Sequence, residues 1–148
     1  MVFGIFLTDT SDREIPRKLK KAYPYTPSFT QAILGDFDNS VESLNIEATA
    51  LSASGGEMHL RDGNVEVDLV KKVGNSIVGI EVKSGNIDTE KTAHATKKLG
   101  SKSGIILNLD DFKEMMVNGL YLSLILLWAP LLYPDELIKR HLEKASQL

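Results

Sequence analysis

The sequence predicts an α/β fold on a mixed β-sheet, with antiparallel hairpins and a crossover strand flanked by helices. Three observations predict it. Residues 65–83 alternate with a period of two around Val73-Gly74-Asn75, so two strands joined by a tight turn are expected over Val65–Lys71 and Ser76–Lys83. From Asp88 or Thr89 to about Leu99 the spacing is helical, and Gly100 stops it. Gly104–Asn108, GIILN, is apolar throughout and short, as a buried central strand is. A helix and then a strand after a hairpin imply a right-handed crossover into parallel pairing. The resulting order is α-β-β-β-α-β.

At 148 residues a single domain over 1–148 is expected, and 43% apolar with 25% charged residues is ordinary for a soluble globular protein. The absence of cysteine excludes a disulfide framework and a thiolate zinc site, and fits a reducing, cytoplasmic location. His59, His94 and His141 lack partners at metal-ligand spacing and read as surface or packing residues. Met1–Leu7 is apolar but short, lacks a basic flank and meets Asp9 at once, so no signal peptide is expected. Leu120–Tyr133 is an apolar run of 14 residues that contains Pro130. A membrane-crossing helix needs about 20, so a buried strand or core helix is expected.

Residues 1–15 read as a strand or tail, and 16–36 as a lead-in to the core at 37–108. In the lead-in, Arg17, Lys18, Lys20 and Lys21 precede Tyr23, Tyr25 and Phe29. Such a run can hold a phosphate backbone and stack bases, although aromatics of this kind more often pack inward. Phe37, Val41, Leu44, Ala48 and Leu51 form one helical stripe. Asp38 sits at its edge, with Glu42 a turn further on and Glu47 a weaker candidate. Glu57–Arg61 reads as a strand and Asp62-Gly63-Asn64 as a hairpin turn. In the 109–148 extension, Asp110–Val117 reads as a short helix and Leu120–Trp128 as a strand at the sheet's far side or at a dimer contact. Pro134–Ala145 reads as an amphipathic helix with Leu137, Ile138, His141 and Leu142 inward.

The strand pattern also suggests chemistry. Val65, Val67 and Leu69 are expected on one face; Ile77, Gly79, Glu81 and Lys83 share a face of the next strand. Asp68 and Glu81 can both reach a hard divalent cation, Mg²⁺ or Mn²⁺, and the Val82 carbonyl can add a third oxygen. Lys83, two residues after Glu81, lies on the same side, where its ammonium can orient a water or stabilise phosphate charge. The charge is uneven in the same sense. Residues 35–68 carry Arg61 against eight acids, whereas 69–103 carry seven lysines against three acids. An acidic pocket beside a lysine strip suits a phosphodiesterase; the alternative is that the lysines are simply solvated. Lys91, His94 and Lys98 share a helix face that can meet phosphates, and Arg61 with His59 can contact substrate or pair across the strands with Glu66.

Asp68 with Glu81-Val82-Lys83 resembles the PD-(D/E)XK nuclease superfamily and its restriction-endonuclease-like core, with Val67 in place of the proline before the aspartate. The run from Met58 to Asp68, with Pro16-Arg17-Lys18-Leu19 and Phe37-Asp38-Asn39-Ser40-Val41 upstream, resembles the C-terminal nuclease-like domain of archaeal and bacterial AAA-type ATPases over roughly residues 15–130. That resemblance implies Asp38 as the third metal ligand, shorter by one methylene than the glutamate of the family pattern. Nothing matches a Gly-x-x-x-x-Gly-Lys phosphate loop, so the chain reads as the C-terminal piece without the ATPase module.

The implied function is metal-dependent phosphodiester hydrolysis of DNA. Asp38, Asp68, Glu81 and Val82 hold Mg²⁺ or Mn²⁺, and Lys83 assists the attacking water. The alternative is a catalytically silent module that binds nucleic acid or a partner for an ATPase. A homodimer contact through 120–133 is compatible with either, and no membrane partner is expected.

Overall fold

The computed structural model describes residues 2–8, 21–24, 46, 48–50, 58–62, 65–132 and 134–148. They form an α/β layered structure around a mixed sheet. In chain order the elements are β1 (Val2–Thr8), β2 (Lys21–Pro24), β3 (Met58–Asp62), β4 (Val65–Val73), β5 (Ser76–Lys83), α1 (Thr89–Lys98), β6 (Ser103–Asn108), β7 (Lys113–Val117), β8 (Leu120–Leu126), α2 (Ala129–Leu132) and α3 (Pro134–Ala145). The eight strands lie in the order β2-β1-β3-β4-β5-β6-β8-β7. β3, β4 and β5 run antiparallel in sequence, and β5, β6 and β8 are mutually parallel. The expected crossover through α1 is therefore present.

Each face of the sheet has its own apolar layer. On one face Ala93, Ala95 and Leu99 of α1 pack against Val67, Val70, Ile106 and Leu122. On the other, Ile138 of α3 and the helical residues Ala48 and Ala50 cover Leu69, Ile80, Val82, Ile105, Leu107 and Ile125. The middle strands are covered on both sides, which is why β6 and β8 are apolar apart from Ser103, Asn108 and Ser123. α1 begins where expected, with the Asp88 carboxylate accepting the Lys91 N–H at 2.9 Å.

Several expectations are corrected. Leu69 does not share a face with Val67: in the β3–β4 pairing Met58 faces Val70 and Leu60 faces Val67, so two residues of β3 span three of β4. That extra residue is a bulge at Asp68-Leu69, which turns Leu69 to the α3 face and returns Val70 to the α1 face. The segment read as a helix, Asp110–Val117, instead ends in strand β7, which closes a hairpin with β8. The reason is Asn118-Gly119, with φ of 53° and 74°, the left-handed pair that a two-residue hairpin turn demands. β8 lies between β6 and β7, and Leu120–Leu124 are buried in the sheet, so the expected strand is second from the β7 edge. Lys21–Pro24 of the lead-in is strand β2, antiparallel to β1. The first turn of β4–β5 also tightens to Gly74-Asn75, with Gly74 at φ 59°.

Two glycines let α1 sit close to the sheet. A Cβ on Gly104 would lie 3.0 Å from both the Leu122 side chain and Thr96 Oγ1, and one on Gly79 would lie 3.2 Å from Leu99 and Thr96. Gly104→Ala should therefore lower stability by about 1–3 kcal/mol through forced repacking, read as a reduced urea midpoint with unchanged slope.

Below α3, His141 is buried as expected for a packing residue. It is 3% exposed, its Nδ1 lies 2.9 Å from Ser123 Oγ, and its ring stacks on Tyr121 with centroids 5.0 Å apart. Burial lowers its pKa from 6.5 to about 4. The unfolded chain therefore takes up this proton first, and the residue's contribution to stability falls as pH drops from 6.5 to about 4. His141→Phe keeps the ring and removes the proton site. Relative to wild type it should gain roughly 3 kcal/mol between pH 7 and pH 4, measured by urea unfolding across that range.

Candidate functional site

The site lies where the β4–β5 ladder stops. Paired residues run from Val73–Ser76 to Leu69–Ile80, and the next residues on the two strands are Asp68 and Glu81. There the backbone contacts give way to carboxylates. Asp68 Oδ2 accepts the Val82 N–H at 2.9 Å, and Glu81 Oε2 accepts the Asp68 N–H at 3.4 Å. Each acid thus takes up the backbone donor of the opposite strand, and the two are held across one opening. A residue's N–H and C=O lie on the same side of a strand, so the Val82 carbonyl also faces Asp68. Val82's side chain packs in the opposite apolar layer, which fixes this orientation.

Lys83 completes the cluster. Its Nζ donates to Glu81 Oε1 at 2.5 Å, with the Lys83 and Glu81 side chains 32% and 12% exposed. Both lie on the α1 face, since Ile80 and Val82, which alternate with them, point to the other. Asp68 is 8% exposed. Burial, followed by the charge of Asp68, raises the Glu81 pKa from 4.5 to about 7, against the lowering effect of Lys83.

The chain matches no known protein family, curated protein or solved structure. Its site is therefore read from the donors themselves.

The oxygen-rich set of Asp68, Glu81 and the Val82 carbonyl suits a hard divalent cation better than a thiophilic one. Among the described residues no three His, Cys, Asp or Glu side chains group closely enough to hold an ion by themselves. Asp38, Glu42 and Glu47 lie outside the described residues, as do the side chains of His59 and Arg61. The ladder sets the backbone of Arg61 directly opposite Glu66. Lys91, His94 and Lys98 are exposed along one side of α1, while Ala93, Thr96 and Leu99 are buried, as the helical spacing implied.

One participant escaped the sequence reading. Asn108, at the end of β6, pairs in register with Lys83 and is 2% exposed. Its Oδ1 accepts the N–H groups of Asp110 and Asp111 at 3.0 and 2.6 Å, and its Nδ2 donates to the Asp111 and Ile125 carbonyls. This side chain folds the β6–β7 loop over a cleft of about 290 Å³ lined by Lys83, Ser84, Asn108, Asp110 and Asp111. Asn-Leu-Asp-Asp after an apolar run is a turn signal that marks such a residue.

A carbon-13 titration of the Glu81 side chain in protein stripped of divalent ions should give a midpoint near 7. Asp68→Asn should lower that midpoint and Lys83→Met should raise it. A wild-type midpoint in the ordinary carboxylate range would show that the two acids are not held together.

Proposed function

We propose that this chain is a metal-dependent phosphodiester hydrolase acting on DNA, built on a restriction-endonuclease-like core of the PD-(D/E)XK type. The observation that carries the reading is the mutual bonding of Asp68 and Glu81 across the end of the β4–β5 ladder, with the Lys83 ammonium on Glu81. Asp68, Glu81, the Val82 carbonyl and Asp38 would hold Mg²⁺ or Mn²⁺. The bound ion supplies an activated water and charge stabilisation at the phosphorus. Lys83 then acts on the attacking water or on the non-bridging phosphate oxygens, because it sits beside the carboxylates on their open side. Exposed Lys91, His94 and Lys98 on α1 supply a surface for the DNA backbone. Arg61, opposite Glu66, is the further candidate contact on β3.

One observation favours the second reading, a silent nucleic-acid- or partner-binding module of an ATPase. The described residues bring two carboxylates, not three, to the opening.

Titration with Mn²⁺ separates these readings. At about 100 times its Kd the ion should stabilise wild type by about 2.7 kcal/mol in thermal melting, and this gain should vanish in Asp68→Asn. Wild type should also nick supercoiled plasmid with Mg²⁺, and Lys83→Ala should lower the rate about 100-fold or more. Metal-dependent stabilisation without nicking would support the silent module; an equal gain in Asp68→Asn would remove the site from both readings.

A further inference from the structure

The cleft of about 290 Å³ beside Lys83 continues the carboxylate site past the ends of two parallel strands. β5 ends at Lys83 and β6 at Asn108, which are in register on neighbouring strands about 4.8 Å apart. Both side chains point to the α1 face, because Val82 and Leu107 before them pack in the opposite layer. The crevice outside the carboxyl ends of such strands is where open α/β sheets take their ligands. Two loops wall it: residues 84–87, which lead into α1, and residues 109–111, which Asn108 folds back through its bonds to Asp110 and Asp111.

The volume lies at the lower limit of the roughly 300–1,000 Å³ common for small-molecule sites, room for one flat ring and far too little for a duplex. Lys83 is the one cation among the lining residues, and Asp110 and Asp111, both exposed, put two carboxylates on the other loop. A phosphate is therefore held at Lys83 and repelled from the rest of the cleft. An uncharged nucleobase is not. Ile87 and Leu109 offer apolar surface to its faces, and the carboxylates, with Ser84 and Asn86, offer acceptors to the N–H groups at its edge. Gly85 leaves this wall open, since a Cβ there would meet nothing within 4 Å.

We propose that the base next to the phosphate under attack enters this cleft unpaired, so that the substrate is single-stranded DNA, free or as the flank of a duplex. On the hydrolase reading, on which this rests, the phosphate sits at Lys83 and the adjoining nucleoside reaches the cleft. In continuous duplex that base is paired and stacked, and the need to extrude it opposes binding. Negatively supercoiled plasmid opens locally and so remains a substrate.

With Mg²⁺, wild type should cut a single strand of about 20 nucleotides about tenfold or more faster than the same sequence in duplex, and supercoiled plasmid faster than relaxed plasmid. An abasic residue moved along the strand should slow cleavage about tenfold at one position beside the cut and little elsewhere. Gly85→Trp, which fills the cleft, should bring the single-strand rate down to the duplex rate. Binding is read separately, with Ca²⁺ in place of Mg²⁺ to hold the strand uncut. The amide ¹⁵N–¹H signals of Asp110 and Asp111 should then move with the intact strand and stay with a wholly abasic strand of the same charge. Equal rates on strand and duplex, or amides that respond alike to the two strands, would overturn the base cleft and leave the hydrolase reading standing. No cleavage of any of these substrates, with amide shifts that still require the bases, would remove the hydrolase reading and keep the base cleft.

Discussion

Two carboxylates take over where a backbone ladder ends, and the arrangement of the candidate site depends on that exchange. β4 and β5 are ordinary antiparallel partners down to Leu69–Ile80. Past that point the donor of Val82 is answered by Asp68, and the donor of Asp68 by Glu81. The 2.9 Å bond from the Val82 N–H to the Asp68 carboxylate is of the charge-assisted kind worth about 1.5–3 kcal/mol, whereas the 3.4 Å bond to Glu81 is long and adds less. The bulge at Asp68-Leu69 is the backbone device behind this. Its extra residue lets the α3 layer keep Leu69 while Asp68 stays at the opening.

The supporting layers are unequal in kind. α1 is fixed by close approach, with Thr96 and Leu99 over Gly79 and Gly104, and by Lys97, whose ammonium donates to the Asn118 carbonyl in the β7–β8 turn. α3 is fixed by ion pairs at its rim and by one imidazole beneath it. The α1 side thus has little room to shift, and that side carries Glu81, Lys83 and Asn108. The α3 side retains open space between its helix and the sheet.

Much of this was legible in the residues. Period-two alternation located β4 and β5, the Asp88 cap and Gly100 bounded α1, and GIILN marked a strand buried on both faces. The Glu-x-Lys spacing placed Glu81 and Lys83 on one side, as they are. The bulge was not legible, because Val-Asp-Leu-Val reads as uninterrupted alternation plus one apolar residue; only the pairing with β3 shows which residue is extra. β7 reads as a helix in the sequence because Lys-Glu-Met-Met suits one by propensity, and the partner strand overrides propensity at a sheet edge. Asn118-Gly119 was the local sign that outweighed it. Ser123 and His141 are distant in sequence, and no spacing rule joins them.

Glu81 and His141 lie on opposite faces of the sheet and their pKa values are displaced in opposite directions, Glu81 upward to about 7 and His141 downward to about 4. As acidity increases from near neutrality, the folded chain gains a proton at the carboxylate while the unfolded chain gains one at the imidazole. Between 4.5 and 6.5 these uptakes nearly match, so this pair adds almost no acid dependence to the folding equilibrium. An ion seated on Glu81 would exclude its proton and break the match, leaving the imidazole uncompensated. The loaded protein would then be the more acid-sensitive form, a property set by two residues on either side of one sheet.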